Sequence, residues 1–190
     1  MVEPIEVTEF WLNEVGPKGW YLVDEAVDAA IRERFLPIWE MARDGGLKDW
    51  KLRPHGMLAY LILVDQFPRN MFRENGNAYA TDKIARSAAK KAIEKKWDMK
   101  VAEPERQFFY LPLMHSECLA DQERCLCLIK TRMPLTGDSS ILHAKAHREV
   151  IRRFGRFPYR NAALARRDTE PEMAFLAQGG YRVAVEAVQG

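Results

Sequence analysis

Apolar residues recur at helical spacing along almost the whole chain. After Asp24, the positions Val27, Ala30, Ile31, Phe35, Ile38 and Ala42 keep the period of one buried helix face. Pro37 should kink that helix, and Asp44-Gly45-Gly46 should stop it. A shorter amphipathic run, Ile5 to Asn13, carries Phe10 and Trp11. Pro54 suits a first helical turn, and "GMLAYLILVDQF" is apolar nearly all round, which marks a central helix. Phe67 precedes a proline and should leave helical geometry, so the helix is predicted to end there.

The pattern continues beyond residue 80. Thr81 is a candidate N-cap for "DKIARSAAKKAIEKKW", whose Ile84, Ala85, Ala88, Ala92 and Ile93 form a narrow face of mostly small residues. Pro104 opens "PERQFFYLPLMHSE", interrupted by Pro112. Another amphipathic helix is predicted from Glu117 to about Met133. Ser139 or Ser140 should cap a helix closed by Gly155, and Asn161 should cap a short turn starting "AALARR". Thr169 with Glu172 forms a capping box for "EPEMAFLAQ". The tail "YRVAVEAV" alternates and reads as extended or disordered. No set of alternating strands and no βαβ rhythm is present. The predicted fold is all-α, with stacked antiparallel helix pairs in one domain spanning 1–190. No clean repeat of about 34 residues supports a regular solenoid.

Composition changes this picture little. The chain has 190 residues, is 47% hydrophobic and 29% charged, and carries a net charge of +2. That length supports a core without metal or disulfide. The charge is uneven: residues 1–50 hold eleven acids and five bases, whereas 142–167 hold eight bases and one acid. Either an anionic partner or packing of the two ends against each other accounts for this. Cys118, Cys125 and Cys127 are odd in number and clustered, so they read as small core residues in a reducing compartment. The acidic start "MVEPIEVTEFWLNEVG" lacks the regions of a signal peptide, and no apolar run reaches the length of a span. A cytoplasmic protein with no membrane contact is expected.

Two stretches repeat one device: "DQFPRN" at 65–70 and "FGRFPYRN" at 154–161. Each places Phe-Pro after a helical run and follows it with Arg and Asn. Proline frees helix-end carbonyls, which guanidinium and amide groups can satisfy. Asp65, Arg69, Asn70, Arg156, Arg160 and Asn161 therefore read as polar latches, joined through a pair such as Asp65–Arg160. The same arginines, with Arg148, also suit a site for a carboxylate or phosphate. The two motifs are expected to meet and to face His115 and His147. In "MHSE", His115 beside Glu117 suits a general base, or a cap for the next helix. His143 and His147 stand at i, i+4, a spacing that can hold a metal, but Ala144 occupies the place of a zinc-protease glutamate. A third ligand would have to be His115 or Glu117, and no metal is expected. His147 also aligns with Ile151 and Phe154, as a core histidine would. There is no glycine-rich phosphate loop, GxSxG elbow or CxxC, and no cofactor is expected. The aromatic and basic mixture at 152–160 suits a solvated face better than nucleic acid.

At "LILVDQFPRNMFR", "YLPLMHSECLADQER" and "HREVIRRFGRFPYRN" the chain resembles the bacterial family called domain of unknown function 924. The resemblance runs from "FW" near the start to "EMAFL" near the end. It implies an α-helical fold of the tetratricopeptide-like superfamily, and no established reaction. The chain departs from the family at Tyr159, where His is common, and at Cys118, where Asp or Ser is typical. Two functions are carried forward. One is a pocket for a small anionic molecule, with His115 or His147 as acid or base, oriented by Glu117 or Asp65. The other is a tetratricopeptide-like module that binds a peptide or partner helix.

Overall fold

The computed structural model describes residues 2–189 and divides into two units, Met1–Pro112 and Leu113–Gly190. Among the described residues every regular element is a helix or helical turn, and no strand is present. The fold is all-α, as predicted. Among the described residues no helix is long and apolar enough to cross a membrane.

In the first unit, helix α1 (Pro4–Thr8) continues through a π-helical stretch, Glu9–Val15. Helix α2 (Glu25–Arg43) begins where Asp24 accepts hydrogen bonds from the N–H groups of Ala26 and Val27, and it stops before the positive φ of Gly45. Its buried face, including Ile31, Phe35, Ile38 and Ala42, is the one the periodicity marks. Rings of Phe10, Trp11, Phe35 and Phe67 close the core at centroid distances of 4.9–6.0 Å. Such aromatic pairs add about 0.5–1.5 kcal/mol each beyond area burial.

The central helix corrects one expectation. Helix α3 (Pro54–Leu61) does not end at Phe67; it passes through a π turn, Ile62–Gln66, into helix α4 (Phe67–Met71). The widened turn carries the chain past Pro68, where a regular helix would clash. In α register the carbonyl of Val64 would take the N–H of residue 68, which proline lacks. The Thr81 hydroxyl donates to that carbonyl at 2.6 Å, and accepts from Trp39 Nε1 at 3.2 Å. Thr81 thus precedes helix α5 (Asp82–Glu94) without capping it through its side chain.

In the second unit, α6 (Leu119–Arg132) and α7 (Asp138–Phe154) are joined by a short turn and run antiparallel. Gly137 occupies the N-cap of α7, two residues before the predicted serines, and Gly155 closes it at φ 70°. The Thr169–Glu172 capping box starts α8 (Glu170–Ala177) as expected. The tail differs from its prediction: Tyr181–Ala187 is a helix, α9. Tyr181, Ala184, Val185 and Val188 stand at i, i+3, i+4 and i+7, and pack on Ala146, Val150 and Phe157. The apparent alternation hid a helical stripe. Cys125 is buried, while Cys118 and Cys127 are exposed, so only one of the three is a core residue.

Candidate functional site

The first Phe-Pro motif is a dense polar corner of the first unit. Asp65, 1% exposed, accepts from Gln66 Nε2 at 2.6 Å. Arg69 donates to the Asp65 carbonyl at 2.5 Å and pairs with Asp82 at 3.0 Å. Asn70 donates to Asp28 at 2.8 Å, as does Arg73. Burial alone would raise the Asp28 carboxyl, but hydrogen bonds from Arg73 and Asn70, with the nearby guanidinium charges, hold it below its ordinary range.

The second motif is built on the peptide of Phe157. Glu117 accepts the Phe157 N–H at 2.8 Å, and Arg166 donates to the Phe157 carbonyl at 3.1 Å. Glu117 and Arg166 then pair in fork geometry at 2.8 and 3.0 Å. Burial would raise Glu117, but Arg166 and the Phe157 amide lower it further. Its carboxylate is engaged in this corner rather than turned over to His115. Arg156 holds Glu172 through two bonds of 2.6 and 2.7 Å, and these hydrogen bonds bring the Glu172 carboxyl down to about 2. Arg160, 6% exposed, donates to the His115 carbonyl at 3.1 Å and lies 4.3 Å over the Phe157 ring. Asn161 donates to Asp168 at 2.6 Å, and Arg148 pairs with Glu123 at 3.1 Å. Asn161 thus ties a loop instead of capping "AALARR".

The unit does bring His115 and His147 together, with ring centroids 6.3 Å apart. His147 Nδ1 lies 2.9 Å from the His143 carbonyl, an acceptor, so Nδ1 carries the hydrogen and the bare lone pair is on Nε2. The Tyr181 hydroxyl sits 2.8 Å from His143 Nδ1 and 3.0 Å from His147 Nδ1. Although part of its edge reaches solvent, the His147 ring is packed closely enough that burial, then the charges of His115 and Arg160, lower its pKa to about 3. It is an uncharged, weakly basic imidazole at neutral pH. Among the described residues no three of His, Cys, Asp or Glu gather to hold a metal.

A second constellation escaped the sequence reading. In the first unit a cavity of about 340 Å³ is lined by Lys51, Lys91 and Lys95, with Tyr60, Trp97 and Ser87. Its floor is apolar, from Met57, Ile84, Ala88 and Ala92. Lys51 Nζ lies 4.8 Å from the Tyr60 ring centre, and Lys95 Nζ lies 4.5 Å from that of Trp97. Among the described residues none of the three lysines forms a salt bridge. Burial, then the charges of Lys48 and Lys91, depress the Lys51 ammonium. One signal was available: Ser87, Lys91 and Lys95 are spaced i, i+4, i+8, and a like-charge i, i+4 pair costs a helix about 0.2–0.5 kcal/mol.

No curated protein matches this chain. Among solved structures it is similar to a protein of unknown function from Agrobacterium tumefaciens, ATU0120, at 39% identity and a TM-score of 0.85, over 93% of this chain and 97% of that one. The family described as "Bacterial protein of unknown function (DUF924)" matches residues 7–180, in keeping with the three motifs and the all-α fold, and the chain belongs to it.

Proposed function

We propose that this protein binds a small organic anion in the cytoplasm. The observation that carries the reading is the cavity where Lys51, Lys91 and Lys95 converge without carboxylate partners. Unpaired cations around a concave apolar floor repel one another, and an anion relieves that cost. Its volume of about 340 Å³ suits a small molecule. The free cysteines, two of them exposed, support a reducing compartment. The test is thermal unfolding at constant ionic strength with a panel of benzoate, benzenesulfonate, phenyl phosphate and inorganic phosphate. At least one organic anion should raise the midpoint, and Lys51→Ala with Lys91→Ala should remove the response. No shift with any anion, or an undiminished shift in the variant, overturns the reading.

A second reading keeps the anion in the second unit, at His115, His147 and Arg160 with Arg148, Arg156 and Asn161 nearby. It is favoured by the charges of His115 and Arg160, which together keep His147 unprotonated, and by Arg166 Nε and Asn161 Oδ1, which are buried without hydrogen-bond partners among the described residues. In this reading His147 accepts a hydrogen bond and moves no proton at neutral pH. Phosphate-dependent shifts of the His115 and His147 ring signals in NMR would support it, and their absence would remove it. The interaction-module reading draws on Tyr21, Leu22 and Val23, which are 63%, 63% and 76% exposed. Replacing Leu22 and Val23 by Ser should then abolish co-purification of a protein partner, and an unchanged set of partners counts against it.

A further inference from the structure

We infer that the lysine cavity of the first unit takes a phosphomonoester with a flat apolar body, an inference that rests on the anion-binding reading above. The charge balance comes first. The lining contributes three ammonium groups and no aspartate, glutamate or arginine. A phosphomonoester carries about −1.5 to −2 at neutral pH and three acceptor oxygens, against −1 and two for a carboxylate. Three lysines match the larger charge.

Donor geometry points the same way. An arginine fork suits the planar, two-oxygen edge of a carboxylate, and this chain uses that pairing at Arg156–Glu172 and Arg166–Glu117. Lysine ammoniums are compact charges on rotatable stems, and they close round a tetrahedral group from different directions. Here they come from two elements. Lys51 stands on the 3₁₀ turn Asp49–Leu52, while Lys91 and Lys95 lie one turn apart at the end of α5. Ser87, a further turn back along α5, adds a neutral hydroxyl to the same lining.

The remainder of the cavity specifies the body. Tyr60 and Trp97 present rings, and Met57, Ile84, Ala88 and Ala92 present only carbon and sulfur. Ala88 and Ala92 add only methyl groups to the floor, which leaves a smooth apolar surface for a flat ring. Each ring already lies beside an ammonium, at 4.8 Å for Lys51–Tyr60 and 4.5 Å for Lys95–Trp97. The aromatic faces hold these cations at the rim while their charge stays available to a ligand. Tyr60 is 2% exposed, and its hydroxyl makes no hydrogen bond among the described residues. That hydroxyl keeps some contact with solvent, and a ligand oxygen can take the place of water there.

The experiment is calorimetric titration of the full chain with phenyl phosphate, benzoate, inorganic phosphate and phenol. Phenyl phosphate should bind at least about tenfold more tightly than each of the others. Lys91→Gln and Lys51→Gln should each weaken it by about tenfold or more, as loss of a charge-assisted hydrogen bond requires. Trp97→Phe should remove the change in tryptophan emission on binding while leaving affinity within about threefold, because a ring remains. Benzoate binding as tightly as phenyl phosphate, with the same lysine dependence, overturns the phosphomonoester and leaves the anion reading standing. Failure of every anion to bind protein that is folded by circular dichroism overturns both. Affinity untouched by the lysine variants overturns this location for the site.

Discussion

Three arginines of the second unit and the lysines of the cavity in the first differ in one respect: what they face. Arg148, Arg156 and Arg166 each meet a carboxylate, and Arg156 and Arg166 do so in bidentate geometry. Their forks end on Glu172 and Glu117, which in turn hold Thr169 and the peptide of Phe157. The charge is spent within the fold. Lys51, Lys91 and Lys95 meet two aromatic rings and a cavity instead. An abundance of basic residues is therefore a poor guide to a site; the absence of a counter-charge is a better one. The arginine-rich stretch drew attention in the sequence because it is dense. The lysines did not, because they are scattered over 51–95.

This contrast can be broken by mutation. Arg166→Ala leaves Glu117 part-buried and unpaired, so it should cost about 2–3 kcal/mol in urea unfolding. A loss under about 0.5 kcal/mol would mean that the second unit's pairs do not hold the fold.

Acid sharpens the same point. The folded His147 pKa of about 3 lies below its ordinary 6.5, so between these values the unfolded chain binds the extra proton. Stability is then full above pH 6.5 and falls as pH drops toward 3. The loss should approach about 2 kcal/mol by about pH 5. Glu172, lowered to about 2 from 4.5, adds a further loss below pH 4.5. His147→Asn should flatten the upper part of this profile in pH-dependent denaturation, and an unchanged slope would contradict the packing of that ring.

A smaller effect is expected at the clasp between α7 and α9. Tyr181→Phe removes the hydroxyl shared with His143 and His147 and should cost about 1 kcal/mol in thermal unfolding. The smallest effect belongs to the cavity. Lys51→Ala, Lys91→Ala and Lys95→Ala should each change unfolding free energy by less than about 0.5 kcal/mol. Loss of several kcal/mol at any of them would erase the distinction between the two regions.

Much of the fold was legible in the sequence, for a local reason. Helix periodicity, the Asp44-Gly45-Gly46 and Gly155 stops and the Thr169–Glu172 box act within a few residues, so their chemistry is written in order along the chain. The misreadings lie where a distant group intervenes. Phe67 stays helical where a π turn meets Pro68 and Thr81, fourteen residues on, reaches back to the Val64 carbonyl. Tyr181–Ala187 is a helix because its stripe finds Ala146, Val150 and Phe157 to cover it. In the sequence the Phe-Pro corners read as polar latches or as an anion site, and Glu172 and Arg166, whose pairs with Arg156 and Glu117 tie the second corner, stood outside both motifs. By itself, then, the sequence determined an all-α chain, its main helix limits and the residue types of its polar corners. Only tertiary structure decided which cations meet a carboxylate and which meet empty space, because ion pairing depends on distances of a few ångströms between residues far apart in the chain.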